Sequence, residues 1–89
     1  MSFSPTIQLN PDIQSVINIK WTYNPKGRTV FFIERSNNNR DFEKIGVLNT
    51  YPSTTYTFSD LFPLKGSNYY RLISIDENGN QDISNVERI

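Results

Sequence analysis

Apolar residues recur at every second position in short runs along this chain, and turn-forming residues separate the runs at intervals of roughly eight to twelve, the spacing of an all-β sandwich or barrel. The clearest run places Ile17, Ile19, Trp21 and Tyr23 at odd positions with Asn18, Lys20 and Thr22 between them. Successive strand side chains point to opposite faces, so this segment predicts a strand with one dry face. A shorter strand over Thr6 to Leu9 precedes it and is ended by Asn10-Pro11-Asp12. Asn24-Pro25-Lys26-Gly27 follows, with asparagine, proline and glycine at the first, second and fourth positions of a type I turn. Thr29 to Ser36 starts apolar and ends polar, as a central strand does on running out to a rim.

Asn37-Asn38-Asn39-Arg40-Asp41 is a turn cluster, because asparagine tolerates left-handed backbone and caps nearby amides. Phe42, Ile45 and Val47 mark a fourth strand, with Gly46 a bulge or a point of close approach. Pro52 and Ser53 interrupt, then Thr55 to Ser59 alternates strictly. Pro63 to Asn68 reads as a loop, Tyr69 to Ile75 as a strongly apolar strand, and Asn78-Gly79 as a type I′ hairpin turn into a last strand near Ile83 to Ile89. Which of Tyr69 and Tyr70 faces the core stays open: Leu72 favours Tyr70, while Ile73 and Ile75 favour the other face. The expectation is seven strands, no helix, and one domain spanning residues 1–89.

Composition narrows the chemistry. The chain has no cysteine, histidine or alanine. Without cysteine there is no disulfide, thiol nucleophile or thiolate metal site, and without histidine the commonest general base and metal ligand is missing. Ten isoleucines, six phenylalanines and five tyrosines are residues that suit a pleated, half-buried surface. Nine basic and nine acidic side chains cancel and form no block, so no electrostatic footprint for nucleic acid is expected. Lys26-Gly27-Arg28 reads as a solvated loop tip. The longest apolar run, Val30 to Ile33, is far below the roughly 20 residues that span a bilayer, so no membrane insertion is expected. The opening Met1-Ser2-Phe3-Ser4-Pro5 lacks the basic and apolar regions of a secretory signal, so the expectation is either a cytosolic protein or a piece of a longer secreted chain.

Seven short strands with a tryptophan on the second suggest an immunoglobulin-like architecture, and particular words sharpen the likeness. Phe31-Phe32-Ile33-Glu34-Arg35-Ser36, Phe42 with Ile45-Gly46, Tyr56-Thr57-Phe58-Ser59-Asp60, Pro63-Leu64, Tyr69-Tyr70-Arg71-Leu72 and Asp76-Glu77-Asn78-Gly79 together resemble a fibronectin type III-like module of secreted and surface multidomain proteins of Bacteroidetes-type bacteria. The likeness covers roughly residues 29–89, plus Trp21. Where such modules carry Asp-Gly, this chain has Asn38-Asn39, which would put Asn39 in the left-handed region. The resemblance implies a seven-stranded antiparallel two-sheet sandwich of fibronectin type III or immunoglobulin-like type. It implies a non-catalytic spacer or interaction and adhesion domain at the cell surface or outside the cell, whose partners are neighbouring domains or another surface protein. The alternative is a carbohydrate-binding accessory module of a secreted polysaccharide-degrading enzyme.

Several residues are candidates for chemistry. Asp76, Asn78, Asn80 and Asp82 offer oxygen ligands at alternate positions, a weak calcium site, although Gly79 stands fourth and not sixth as an EF-hand loop needs. Glu34, Asp41, Glu43 and Asp60 are the carboxylates from which a glycosidase pair would be drawn, but no nucleophile or base accompanies them, and no catalysis is expected. Tyr23, Tyr51, Tyr56 and Tyr69 are candidates for a sugar-stacking platform; Tyr56 is also a core candidate, which leaves Tyr23, Tyr51 and Tyr69 for stacking. Trp21, Phe31, Ile33, Phe42, Ile45, Tyr56, Phe58, Tyr70 and Leu72 are the expected core. No cofactor is expected. The edge strands, expected near Thr6 to Leu9 and Ile83 to Ile89, offer a route to strand addition.

Overall fold

The computed structural model describes residues 3–24, 27–49 and 54–89. Eight strands occur among them: β1 (Thr6–Leu9), β2 (Ile17–Thr22), β3 (Thr29–Ser36), β4 (Glu43–Asn49), β5 (Thr55–Asp60), β6 (Tyr69–Asp76), β7 (Gln81–Ile83) and β8 (Glu87–Arg88). They form two antiparallel sheets. One has the order β1-β2-β5, and the other β4-β3-β6-β7 with β8 also pairing β6.

The alternation read in β2 is realised: Ile17, Ile19 and Trp21 face inward and are buried. Opposite them stand Phe31 and Ile33 of β3 and Tyr70 and Leu72 of β6, with Tyr56 from β5 completing the layer. Ile45 and Phe58 are partly buried and pack against this cluster. Tyr70 is fully buried and Tyr69 is not. Phe42 departs from the expected core. It lies on the outer side of the larger sheet, with the Arg71 guanidinium 4.0 Å from its ring centroid, because it precedes β4 and Arg71 projects outward from β6.

The eighth strand arises at Ser84. Its hydroxyl accepts the Leu72 N–H at 2.8 Å and donates to the Asn85 carbonyl, while its own N–H reaches the Leu72 carbonyl. A side-chain oxygen thus replaces a ladder partner, the chain bends, and the expected strand over Ile83 to Ile89 divides into β7 and β8. The β6–β7 turn also differs from the expected type I′. Gly79 N–H bonds to the Asp76 carbonyl, so Glu77 and Asn78 are the central residues and Gly79, at φ 84°, supplies the left-handed step that rejoins the ladder. Asn39 adopts φ 60°. The type I turn expected at Asn24 to Gly27 includes Pro25 and Lys26, which lie outside the described residues.

Gly46 is a point of close approach. The β3–β4 register shifts between Ile33 and Glu34, and the bulge brings the Gly46 backbone beneath the Phe58 ring of the other sheet. A Cβ there would fall well inside van der Waals contact with Cε1 and Cζ of Phe58. Gly46→Ala is therefore expected to cost about 1–3 kcal/mol through overpacking. Chemical denaturation measures it, and pairing the change with Phe58→Leu should recover part of the loss. A single-site cost below about 0.5 kcal/mol, the ordinary surface value, would mean the ring swings aside freely.

Candidate functional site

The carboxylates do not converge. Asp60, at the end of β5, is buried between the sheets at one pole. Its carboxylate accepts Arg35 Nη1 at 3.0 and 3.1 Å, the Tyr70 hydroxyl at 2.6 Å and the Phe62 N–H at 3.1 Å. Arg35 Nη1 also donates to the Phe62 carbonyl at 3.0 Å. Asp60 thus caps the turn after β5, as its place before Leu61-Phe62-Pro63 suggests, and additionally ties β5 to β3 and β6 across the core. Burial first, and then the bond to Asp60, hold the Tyr70 hydroxyl far above the usual phenol range, so it acts only as a donor here.

Glu34 projects from the opposite face of the larger sheet and pairs with Arg71 at 2.7 Å. Asp41 accepts from the Asn38 side-chain amide within the 37–41 turn. Glu43 is exposed on β4, opposite Arg35 in register. The four sites are divided among two sheets and a loop, and no two of them face each other across a cleft.

In the acidic turn, Asp76 caps its own hairpin. Oδ1 accepts the Asn78 and Asn80 N–H groups at 2.9 and 2.8 Å, and Oδ2 accepts the Asn80 side-chain amide at 3.0 Å. The Asn80 side chain, and then its backbone N–H, hold the Asp76 carboxyl below its ordinary pKa. Three amide hydrogen bonds thus compete with a cation for this carboxylate. Asp82 accepts the Tyr23 hydroxyl at 3.2 Å instead of turning toward Asp76. Among the described residues no cluster of three or more acidic, histidine or cysteine side chains is arranged for a metal.

Of the tyrosines, Tyr51 lies outside the described residues. The Tyr23 ring is wedged edge-on between Phe3 and Phe31, at centroid distances of 5.0 and 5.1 Å, and its hydroxyl also accepts from Ser74 at 3.3 Å. It borders a cleft of about 740 Å³ with Phe3, Thr29, Asp76, Glu77 and Asp82. Tyr69 stands at the other end of β6, roughly 17 Å from the Ser74 level at about 3.3 Å per residue. Tyr23 and Tyr69 therefore do not form one stacking platform.

Two features escaped the reading of residues. One is the Asp60–Arg35–Tyr70 cluster, whose members are far apart in sequence. The other is the pair of outer sheet faces, which differ in kind. The smaller sheet turns Thr6, Gln8, Asn18, Lys20, Thr57 and Ser59 outward along a groove of about 700 Å³. The larger sheet turns out Val30, Phe32, Val47, Ile73, Ile75 and Ile83. The unbroken run Val30-Phe31-Phe32-Ile33 was the available signal, since a strand apolar on both faces reads as a continuous run.

No protein-family model matches the chain, and no curated protein sequence matches it. Solved structures do. Pectate lyase Pel3 of Pectobacterium carotovorum superposes with a TM-score of 0.80 at 18% identity, over 99% of this chain and 26% of that one. Pectate lyase PelI of Erwinia chrysanthemi, solved in complex with tetragalacturonic acid, gives 0.78 at 21% identity, over 99% and 28%. The chain thus spans about a quarter of the length of the structures it matches, and the likeness concerns the fold. It corrects the resemblance drawn from the sequence: the matching solved chains are pectate lyases, and not fibronectin type III modules of Bacteroidetes-type surface proteins. Words such as Phe31-Phe32-Ile33-Glu34-Arg35-Ser36 and Tyr69-Tyr70-Arg71-Leu72 encode the inward alternation of Phe31, Ile33, Tyr70 and Leu72, the Glu34–Arg71 pair and the arginine that meets Asp60. They specify packing and not ancestry. Among the described residues no helix is long and apolar enough to cross a membrane.

Proposed function

We propose that this chain is a single non-catalytic β-sandwich unit of a larger polysaccharide-acting protein, serving there as a spacer and interaction module. The observation that carries the reading is the dispersal of its ionisable groups. Asp60, Arg35 and Tyr70 are engaged in a buried cluster that ties the sheets, Glu34 and Arg71 are paired with each other, and Asp76 is engaged in its own turn. A group bonded on every side by structural partners is not free to move a proton to or from a substrate. Matched structures whose chains are nearly four times as long and bear the name pectate lyase supply the carbohydrate context. Since a polysaccharide is too large to cross a cell envelope, the reading places the protein outside the cell or on its surface, with neighbouring domains as partners.

A second reading, direct contact with the polymer, is favoured by the groove on the smaller sheet. Its hydroxyls and amides are sugar-type hydrogen-bonding groups, and Lys20 is the cation among its lining residues. Among the described residues no aromatic ring projects into the row formed by Thr6, Lys20 and Thr57, so that row offers hydrogen bonds without ring stacking.

One experiment separates the readings. Electrophoresis of the 89-residue chain through gels containing polygalacturonate or a neutral glucan, with a parallel assay for pectate cleavage, is expected to show unchanged mobility and no cleavage. Retardation in polygalacturonate that Lys20→Ala abolishes would favour the second reading over the first. Cleavage of pectate by the purified chain would overturn both.

A further inference from the structure

An antiparallel sheet with one face on a core ordinarily presents a polar face to water. The smaller sheet does so; the larger does not. Across the larger sheet the register places Val47, Phe32, Ile73 and Ile83 in one row on adjacent strands β4, β3, β6 and β7. Val30 and Ile75 form a second row between Asn49 and Gln81. Val47 is 55% exposed and Ile83 52%. A contiguous apolar surface of this kind, unlike scattered exposed side chains, marks a contact site.

We propose that this face is a self-association surface on which a second copy of the chain docks, face to face, about a two-fold axis parallel to the strands and passing between β3 and β6. Such an axis exchanges β3 with β6 and β4 with β7 while keeping each row at its own level. Phe32 then lies over the second copy's Ile73, Val30 over its Ile75, and Val47 over its Ile83. Glu34, which shares a level with Arg71, lies over the opposite charge of Arg71. Arg28 and Glu77 flank the aligned pair Thr29 and Asp76 and border the apolar patch formed by Val30, Phe32 and Ile75, so they meet in the same way. Asn49 faces Gln81. Apolar groups meet apolar groups, opposite charges meet, and amides meet amides. The chain's net charge of zero adds no long-range repulsion between copies.

This self-complementarity selects a second copy over an unrelated partner. It is the defining property of an isologous interface, in which one patch must satisfy itself, and twisted sheets pack face to face close to aligned. Four strands at about 4.8 Å spacing and six or seven residues at about 3.3 Å give roughly 400 Å² of plane per copy. Two copies then bury on the order of 1,000 Å² in total, at the lower edge of specific interfaces, which corresponds to a weak dimer in the micromolar range. In the free chain the Lys44 ammonium lies 3.9 Å from the Phe32 ring centroid. Its long stem lets it withdraw to the rim when the second copy arrives.

Sedimentation equilibrium of the 89-residue chain between about 1 µM and 1 mM reads the dimer directly, with a midpoint expected at micromolar concentration. Val47→Lys combined with Ile83→Lys should weaken association at least about tenfold; both positions are over half exposed, and a thermal melt confirms that the variant is folded. Arg28→Glu alone places like charges opposite each other at two symmetric points, as does Glu77→Arg alone, and each should impair association. Mixing the two variants should restore it as a heterodimer, because both contacts become attractive again. A monomer up to 1 mM, a dimer that survives the double lysine variant, or a mixture no better associated than either component would each overturn the proposal. None of these outcomes depends on polysaccharide, so the proposal fails or stands separately from the function proposed above.

Discussion

Trp21→Ala is expected to lower the stability of the chain by about 3–5 kcal/mol, the cost of truncating a large aromatic in a closed core. The indole is 2% exposed, edge-on to Phe31 at 5.4 Å and stacked on Tyr56 at 5.9 Å. It reaches both sheets, so its removal opens a cavity that neither sheet can close alone. A domain of this size is worth roughly 4–13 kcal/mol in total at 0.05–0.15 kcal/mol per residue, and the loss would approach or exceed the lower end. Trp21→Phe provides the contrast. Among the described residues the Trp21 Nε1–H has no hydrogen-bond acceptor, and an orphaned buried donor costs about 1–3 kcal/mol. Phenylalanine relieves that cost while losing volume, and should destabilise far less than alanine. Urea melts measure both, and a loss below about 1 kcal/mol for Trp21→Ala, well under the range for aromatic truncation, would show that the cavity collapses.

The second large effect belongs to Asp60. Removing one partner of a buried ion pair leaves the other uncompensated and costs about 3–5 kcal/mol. Asp60→Ala would strand the Arg35 guanidinium, whose side chain is 13% exposed, and the Tyr70 hydroxyl together. Tyr70→Phe removes only one hydrogen bond, leaves the carboxylate with Arg35 and the Phe62 N–H, and should cost about 1 kcal/mol. If the two variants lose equal stability in denaturant, Arg35 is being rescued by water at the pole, and the ion pair is not the clamp that joins the sheets. The Glu34–Arg71 pair is a poor substitute for this role. Its arginine side chain is 30% exposed, where ion pairs contribute little after solvent screening.

The strands were legible because their signal is local. Ile17, Ile19 and Trp21 alternate within one segment, and so do Phe31 with Ile33 and Tyr70 with Leu72. Phe42 misled because aromatic character alone does not say whether a ring meets a core or a guanidinium, and the Arg71 contact that settles it comes from another strand. Ser84 was invisible as a strand breaker, since only the Leu72 N–H makes its hydroxyl a ladder partner. Tyr70 lies in the core, as expected, and Ile73 and Ile75 argued for the other face for a physical reason: the larger sheet is apolar on both sides, and alternation loses its meaning there. The apolar outer face itself could be suspected from Val30-Phe31-Phe32-Ile33, but the row from Val47 to Ile83 exists only once β4, β3, β6 and β7 are paired. Family resemblance misled for the same reason in reverse, by treating packing words as marks of descent.

The central ladder pairs Thr29 with Asp76 and Ser36 with Tyr69, residues separated by dozens of positions, and the Arg35–Asp60 clamp spans 25. The β3–β4 and β6–β7 hairpins close locally, but the β3–β6 pairing that joins them does not. The chain must surrender the entropy of a long loop before β3 and β6 return any contact, and folds of such topology assemble in milliseconds to seconds where helical bundles take microseconds. During that interval Val30, Phe32, Ile73 and Ile75 are exposed on strands whose edges are still unpaired. The charged groups at the borders of those strands, Arg28, Glu34, Arg71 and Glu77, are then the main local restraint on premature sticking between nascent chains.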